Sequence, residues 1–196
     1  MAARRHPSRH EARRLHRRRH GGAVILEVIL TLPLLMITLL AIVEFGVMLV
    51  NLQYLEFASR TGAQVASQLD QSDFYSPVLP NPPIFPAEIA VAVNTQLNQA
   101  TPNAMTPLAS TSILLEHSVP LSGPGMTGAA VEVSDGVAVT SADVVEPPVP
   151  APPAYRYVRV TVFVDAVDLT PNVLAAFGFD LSGKRFQQTT TYAYLK

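Results

Sequence analysis

Two carboxylates stand inside an apolar run, where carboxylates are expensive, and their spacing is where this chain carries its chemistry. Glu27 and Glu44 interrupt residues 23–50, and Gly22 directly precedes the run, so Glu27 falls at the fifth position after the glycine. A charged side chain at the centre of a bilayer costs roughly 2.5–3.5 kcal/mol on insertion scales, so an acid there is a functional candidate unless it is paired or wetted. A glycine just before a helix with an acid one turn in places the Gly22–Ala23 bond where a membrane peptidase could cut. The new amine on Ala23 would lie one turn from Glu27, within reach of that carboxylate or of the same one in a neighbouring subunit. The competing reading is that Glu27 snorkels to the interface and serves nothing. Glu44, followed by Phe45 and Gly46, lies deeper. It faces a partner helix, a wet crevice or the headgroups, or it is already in water if the span ends near Ile42.

The element that must position these acids is a long helix. The 28 residues from Ala23 to Val50 would reach about 42 Å at ~1.5 Å per residue, more than the ~30 Å hydrocarbon core of a bilayer. A secretory signal has an apolar region of only about 7 to 15 residues, so the run reads as an anchor rather than a discarded leader. Eight arginines and one acid precede Gly22, while six basic and fourteen acidic residues follow it. That asymmetry places the N-terminus in the cytoplasm and everything after about Leu52 outside. Helical spacing continues beyond the run, with Leu55, Ala58, Gly62, Val65, Ala66 and Leu69 at intervals of three and four, so the sequence predicts one helix from about Val24 to Gln68. Pro33 predicts a kink near residues 29–33. The small positions Ala41, Gly46, Ala58, Gly62, Ala63 and Ala66 would permit close approach of another helix.

The rest reads as a small module. Residues 70–86 contain five prolines and predict a semi-rigid extended connector. A second helix is predicted over Ala87–Ala100, with Ile89, Val93 and Leu97 on one face. Strands are predicted over 112–117, 129–140, 155–166 and 184–195, and the valines 158, 160, 162 and 164 form the inward face of the third. Loops rich in Gly, Ser and Pro separate them at 121–128 and 146–154, and Pro171 to Phe177 could form a short helix closed by Gly178. The expected organisation is a basic cytoplasmic leader over 1–22, a transmembrane and extended helix over 23–69, the connector over 70–86 and an exported domain over 87–196. The expected class is α+β, with helices on one side of an antiparallel sheet.

Composition excludes more than it suggests. The chain has no Cys, so no disulfide, thiolate metal site or thiol nucleophile exists. With no Trp, Tyr54 is the aromatic expected at the outer surface. His117, the sole histidine beyond residue 20, reads as a surface or packing residue, and Asp165 and Asp168 as a solvated turn rather than a calcium site. No phosphate loop or nucleophile motif is present, so no catalytic residue, metal or cofactor is expected. The basic segment is a topology signal that also attracts anionic lipid, not a nucleic-acid reader, since it lacks aromatics and a folded platform. Arg13-Arg14 makes a poor twin-arginine signal, because His16-Arg17 follows Leu15.

The ordered series Gly22, Glu27, Pro33 among leucines, Glu44-Phe45-Gly46, then Ala58-Ser59-Arg60-Thr61-Gly62-Ala63 and Ala66 resembles the TadE-like module of tight-adherence (Flp) pilus systems. Val28 stands where Phe or Tyr normally follows the first glutamate, and Gln64 where a second arginine is usual. The resemblance implies a non-enzymatic, single-pass pseudopilin of the bacterial inner membrane, with Gly22 and Ala23 flanking a prepilin-peptidase cut. Glu27, Pro33, Glu44, Phe45, Gly46, Arg60 and Gly62 would serve helix pairing and assembly. The implied partners are other pilins, inner-membrane platform proteins and the peptidase, although the related TadG-type proteins keep their N-termini. A single-pass anchored module that binds an extracytoplasmic ligand is the alternative.

Overall fold

The computed structural model describes residues 9–77, 83–100, 111–119, 128–133, 138–145, 156–170 and 172–194. The chain divides into two compact units, residues 1–43 and 44–196. Helix α1 is assigned over Arg9–Gln68, with Pro33 inside it. Its start differs from the expected Val24: the helix takes in the basic segment from Arg9 on and both Gly21 and Gly22, so the glycine expected just before the helix is within it. Arginine is among the better helix formers, which offsets the roughly 1 kcal/mol that each internal glycine costs.

The described residues of the first unit, from Arg9 on, are helix alone. Its residues from Val24 to Val43 are exposed apolar side chains for the most part, and the most apolar stretch of this helix has a mean hydropathy of 2.6 with none of it buried. By length and composition the helix can cross a membrane. Thr31 and Thr38 each donate a hydroxyl to the carbonyl four residues back, on Glu27 (2.9 Å) and Leu34 (2.8 Å). Hydroxyls satisfied within their own helix need no water.

The second unit is an α+β fold. Helix α2 is Ala87–Ala100, and the strands are β1 Ser112–His117, β2 Gly128–Val133, β3 Tyr157–Asp165 and β4 Arg185–Ala193. They form an antiparallel sheet in the order β2-β1-β3-β4. Central β3 pairs Val160 with Leu115 on one side and Thr190 on the other. As predicted, Val158, Val160, Val162 and Val164 point into the core, where they meet Leu55, Ala58, Ala63 and Ala66 of α1 and Ile89, Val93 and Leu97 of α2. The opposite face of β3 is also buried: Arg159 pairs with Glu116 at 3.3 Å, Thr161 meets Thr189 at 3.0 Å, and Phe163 packs with Leu114 and Val139.

Two expectations change. The second strand ends at Val133 rather than Thr140; residues 134–137 lie outside the described residues, and 138–140 are not strand. Thr140 instead caps a 3-10 turn over Ser141–Asp143, whose Asp143 carboxylate accepts from the Thr140 backbone N–H at 2.7 Å. Local side-chain bonding of this kind competes with a strand ladder. The connector is more than a spacer: a 3-10 turn over Gln71–Phe74 drives Phe74 and Tyr75 into the core, Tyr75 bridges to Pro83, and its hydroxyl donates to the Val119 carbonyl at 2.7 Å. The Gly/Ser/Pro loop at 121–127 and the Pro-rich loop at 146–154 lie outside the described residues.

Candidate assembly interface

An α-helix turns about 100° per residue, so three consecutive residues cannot share a face. The triplet Glu44-Phe45-Gly46 follows that rule. Glu44 is buried, while Phe45 is exposed and a side-chain carbon added at Gly46 would meet nothing within 4 Å. The buried acid is neither wet nor aimed at a partner helix, as the sequence suggested. Its Oε2 accepts the backbone N–H of Leu174 at 2.9 Å, in a 3-10 turn over Val173–Phe177. Thr170 Oγ1 donates to the Glu44 carbonyl at 3.4 Å, and Asn51 Nδ2 donates to the Leu169 carbonyl. An acid at the start of a helical turn satisfies an N–H that has no intrahelical acceptor. Glu44 is thus a cap supplied from 130 residues away in sequence.

Loss of that cap has a measurable consequence. Glu44→Ala should destabilise the second unit by about 1–3 kcal/mol, because the Leu174 N–H stays buried without its acceptor. Limited proteolysis should then cut within residues 169–181 before any other described segment, whereas an unchanged cleavage pattern would show that the cap contributes nothing.

The remaining residues divide by face. Gly62 is inward: a side-chain carbon there would lie 2.6 Å from Val93 Cγ2 and 3.1 Å from Val160 Cγ1. Ala58, Ala63 and Ala66, expected to admit another helix, are fully buried against this chain's own sheet and α2. Arg60 is exposed and pairs with Glu56 one turn back, a surface ion pair worth little to stability. Pro33 is in the first unit, as is Glu27, whose carboxylate pairs with no described residue. Gly22 and Ala23 fall in the helical backbone of that unit.

On the outward side of α1, the second unit shows Phe45, Leu49, Val50, Tyr54 and Phe57, all exposed. Sequence periodicity assigned the small residues to assembly and left Phe57 and Leu49 without a role. The signal for them is that both sit opposite the Leu55–Ala58–Gly62 face, where a soluble helix would carry charge. Elsewhere, His117 is buried rather than at the surface, against the rings of Phe74 (4.8 Å between centroids) and Tyr75 (5.5 Å). Asp165 is paired with Arg185 at 3.0 Å. A cavity of about 290 Å³ beside Val139, Phe163 and Arg185 carries no nucleophile and base pair among its lining residues.

Residues 22–64 match the family model of TadE-like proteins. The match runs from the glycine of the candidate cut, through both acids, to the turn after Gly62, and leaves the sheet outside it. No curated protein and no solved structure matches the chain. The family points to a membrane protein related to tight-adherence pili, and such pilus-associated proteins are generally non-enzymatic.

Proposed function

From the TadE-like segment over residues 22–64 as premise, we propose that this protein is a non-enzymatic minor pilin or pseudopilin that takes part in assembling a tight-adherence pilus. The observation that supports this reading most is the division of α1 into faces. The inward face is committed to the chain's own sheet, and past Val50 the outward apolar stripe of Tyr54 and Phe57 stays exposed among the described residues of the second unit. A helix that is apolar on its free side beyond the reach of a bilayer is suited to another helix. The arginine-rich start sets the N-terminus in the cytoplasm and exports the sheet. Other pilins and the inner-membrane platform are the partners that fit the stripe, with Glu27 paired to an amine on a neighbour or on a processed Ala23.

The test is carried out in cells that hold the remaining pilus components and their prepilin peptidase. Glu27→Ala should leave the protein abundant in the membrane, because removing an acid from an apolar helix does not hinder insertion. It should nevertheless abolish most surface piliation and co-purification with other pilins. Normal piliation at normal abundance would refute the assembly role. Mass spectrometry of the wild-type chain should find a mature N-terminus at Ala23; an intact leader would place the protein with the unprocessed, TadG-type branch.

A further inference from the structure

The turn that Glu44 caps carries apolar side chains that the core does not use. Val173 is 43 % exposed, Phe177 48 % and Phe179 65 %, all within seven residues. The segment that carries them is tied to α1 by two bonds within the second unit, Glu44 to the Leu174 N–H and Asn51 to the Leu169 carbonyl. The exposed apolar band of α1 does not stop at Glu44. Phe45, Val47, Leu49 and Val50 continue it beyond Glu44 by six residues, roughly 9 Å of helix.

We propose that the turn over residues 173–179 is a membrane-contacting tip, whose occupant is the headgroup and upper acyl region of the leaflet on the sheet domain's side. The proposal rests on reading the apolar run as a bilayer span. A bilayer that holds Phe45 to Val50, in the same unit as the turn, meets the exposed side chains of Phe177 and Phe179 as well.

The backbone of the tip is built for such a place. Non-helical backbone is tolerated near hydrocarbon only where its polar groups are satisfied internally. The N–H of Leu174 goes to Glu44 (2.9 Å), that of Ala175 to the Asn172 carbonyl (3.4 Å), that of Gly178 to Ala175 (3.0 Å) and that of Phe179 to Leu174 (3.1 Å). Gly178, at φ 92°, makes the tight reversal that places Phe177 and Phe179 on either side of it. The aqueous limit follows at once: Asp180 accepts from Ser182 Oγ (2.7 Å), the Ser182 N–H (2.9 Å) and Asn172 Nδ2 (2.8 Å). Glu44, the acid that a bilayer would penalise, is covered by the same turn, so tip and acid make each other tolerable at that depth.

Because the chain contains no tryptophan, one introduced residue is a unique reporter. Full-length Phe179→Trp, Leu35→Trp and Tyr192→Trp are reconstituted in phosphatidylcholine–phosphatidylglycerol vesicles carrying lipids brominated near the headgroup or deep in the chain. The expected result is that Phe179→Trp emits to the blue and loses most of its emission to the shallow quencher, that Leu35→Trp responds to the deep one, and that Tyr192→Trp, exposed on β4 at the other end of the sheet, responds to neither. If Leu35→Trp is quenched and Phe179→Trp is not, the tip proposal falls while the span stands. Blue-shifted but unquenched Phe179→Trp would mean that a second protein copy covers the turn, which also overturns it. If Leu35→Trp is unquenched by either lipid, the span reading fails, and the tip fails with it.

Discussion

Gly62→Leu is expected to destabilise the second unit by about 3 kcal/mol or more. A bare Cβ at this position already lies 2.6 Å from Val93 Cγ2, 3.1 Å from Val160 Cγ1 and 3.6 Å from Ile89 Cγ2. Both valines are β-branched and hold stiff rotamers, so neither methyl can swing aside cheaply. Overpacking costs typically 1–3 kcal/mol and occasionally more; with three further carbons to place, a loss of about 3 kcal/mol or more is expected against a total stability of about 5–15 kcal/mol. Gly62→Ala should be milder, since it gains roughly 1 kcal/mol of helix propensity against the clash. Thermal unfolding in micelles should rank wild type above Gly62→Ala above Gly62→Leu. A Gly62→Leu variant that melts with the wild type would show that α1 is not seated on α2 and β3 as described.

Acid should weaken the fold through one buried histidine. His117 is fully buried at the end of β1, and among the described residues neither ring nitrogen has a hydrogen-bond partner. Burial disfavours the imidazolium and lowers its pKa from 6.5 to about 4. Between those values the unfolded chain binds the proton and the folded chain does not, so stability rises with pH across that window. The contribution is complete above about pH 6.5 and is lost as pH falls toward 4, with a total of about 3 kcal/mol at 1.36 kcal/mol per tenfold change. Asp180, held down to about 2 by the Ser182 hydroxyl, the Ser182 N–H and Asn172, enters only at lower pH. The melting temperature of the wild type should therefore fall between pH 7 and 4, and His117→Leu should flatten that slope. An equal slope in the variant would assign the acid sensitivity elsewhere.

Local pattern carried much of the fold. Helix α2 and strand β1 run between the residues that the sequence predicted, because an apolar stripe over fourteen residues and a β-branched run between turn signals leave little choice. The inward valines of β3 were equally legible from alternation. What escaped was direction and distance. A row of Ala58, Gly62, Ala63 and Ala66 reads alike whether the surface against it belongs to another subunit or to the same chain. Glu44 has its partner 130 residues away, in a turn with no sequence mark for an acidic cap. Phe74 and Tyr75 were hidden by the prolines around them, which advertised a spacer while two aromatic rings were entering the core.

The seating of α1 also determines how the second unit bears load. From Glu44 to Leu69 the helix is fastened along its length: by the Leu174 cap near its start, by Ser59 Oγ against Thr190 Oγ1 at 2.8 Å midway, and by the Tyr194 hydroxyl on the Leu69 carbonyl at 3.0 Å at its end. Tension applied along this helix is shared by all of these contacts at once, as in a lap joint, rather than passed to one flexible link that could peel open. In a chain without a disulfide, such shear loading lets packing alone resist a pull, and withdrawing the helix requires the sheet's core to come apart with it.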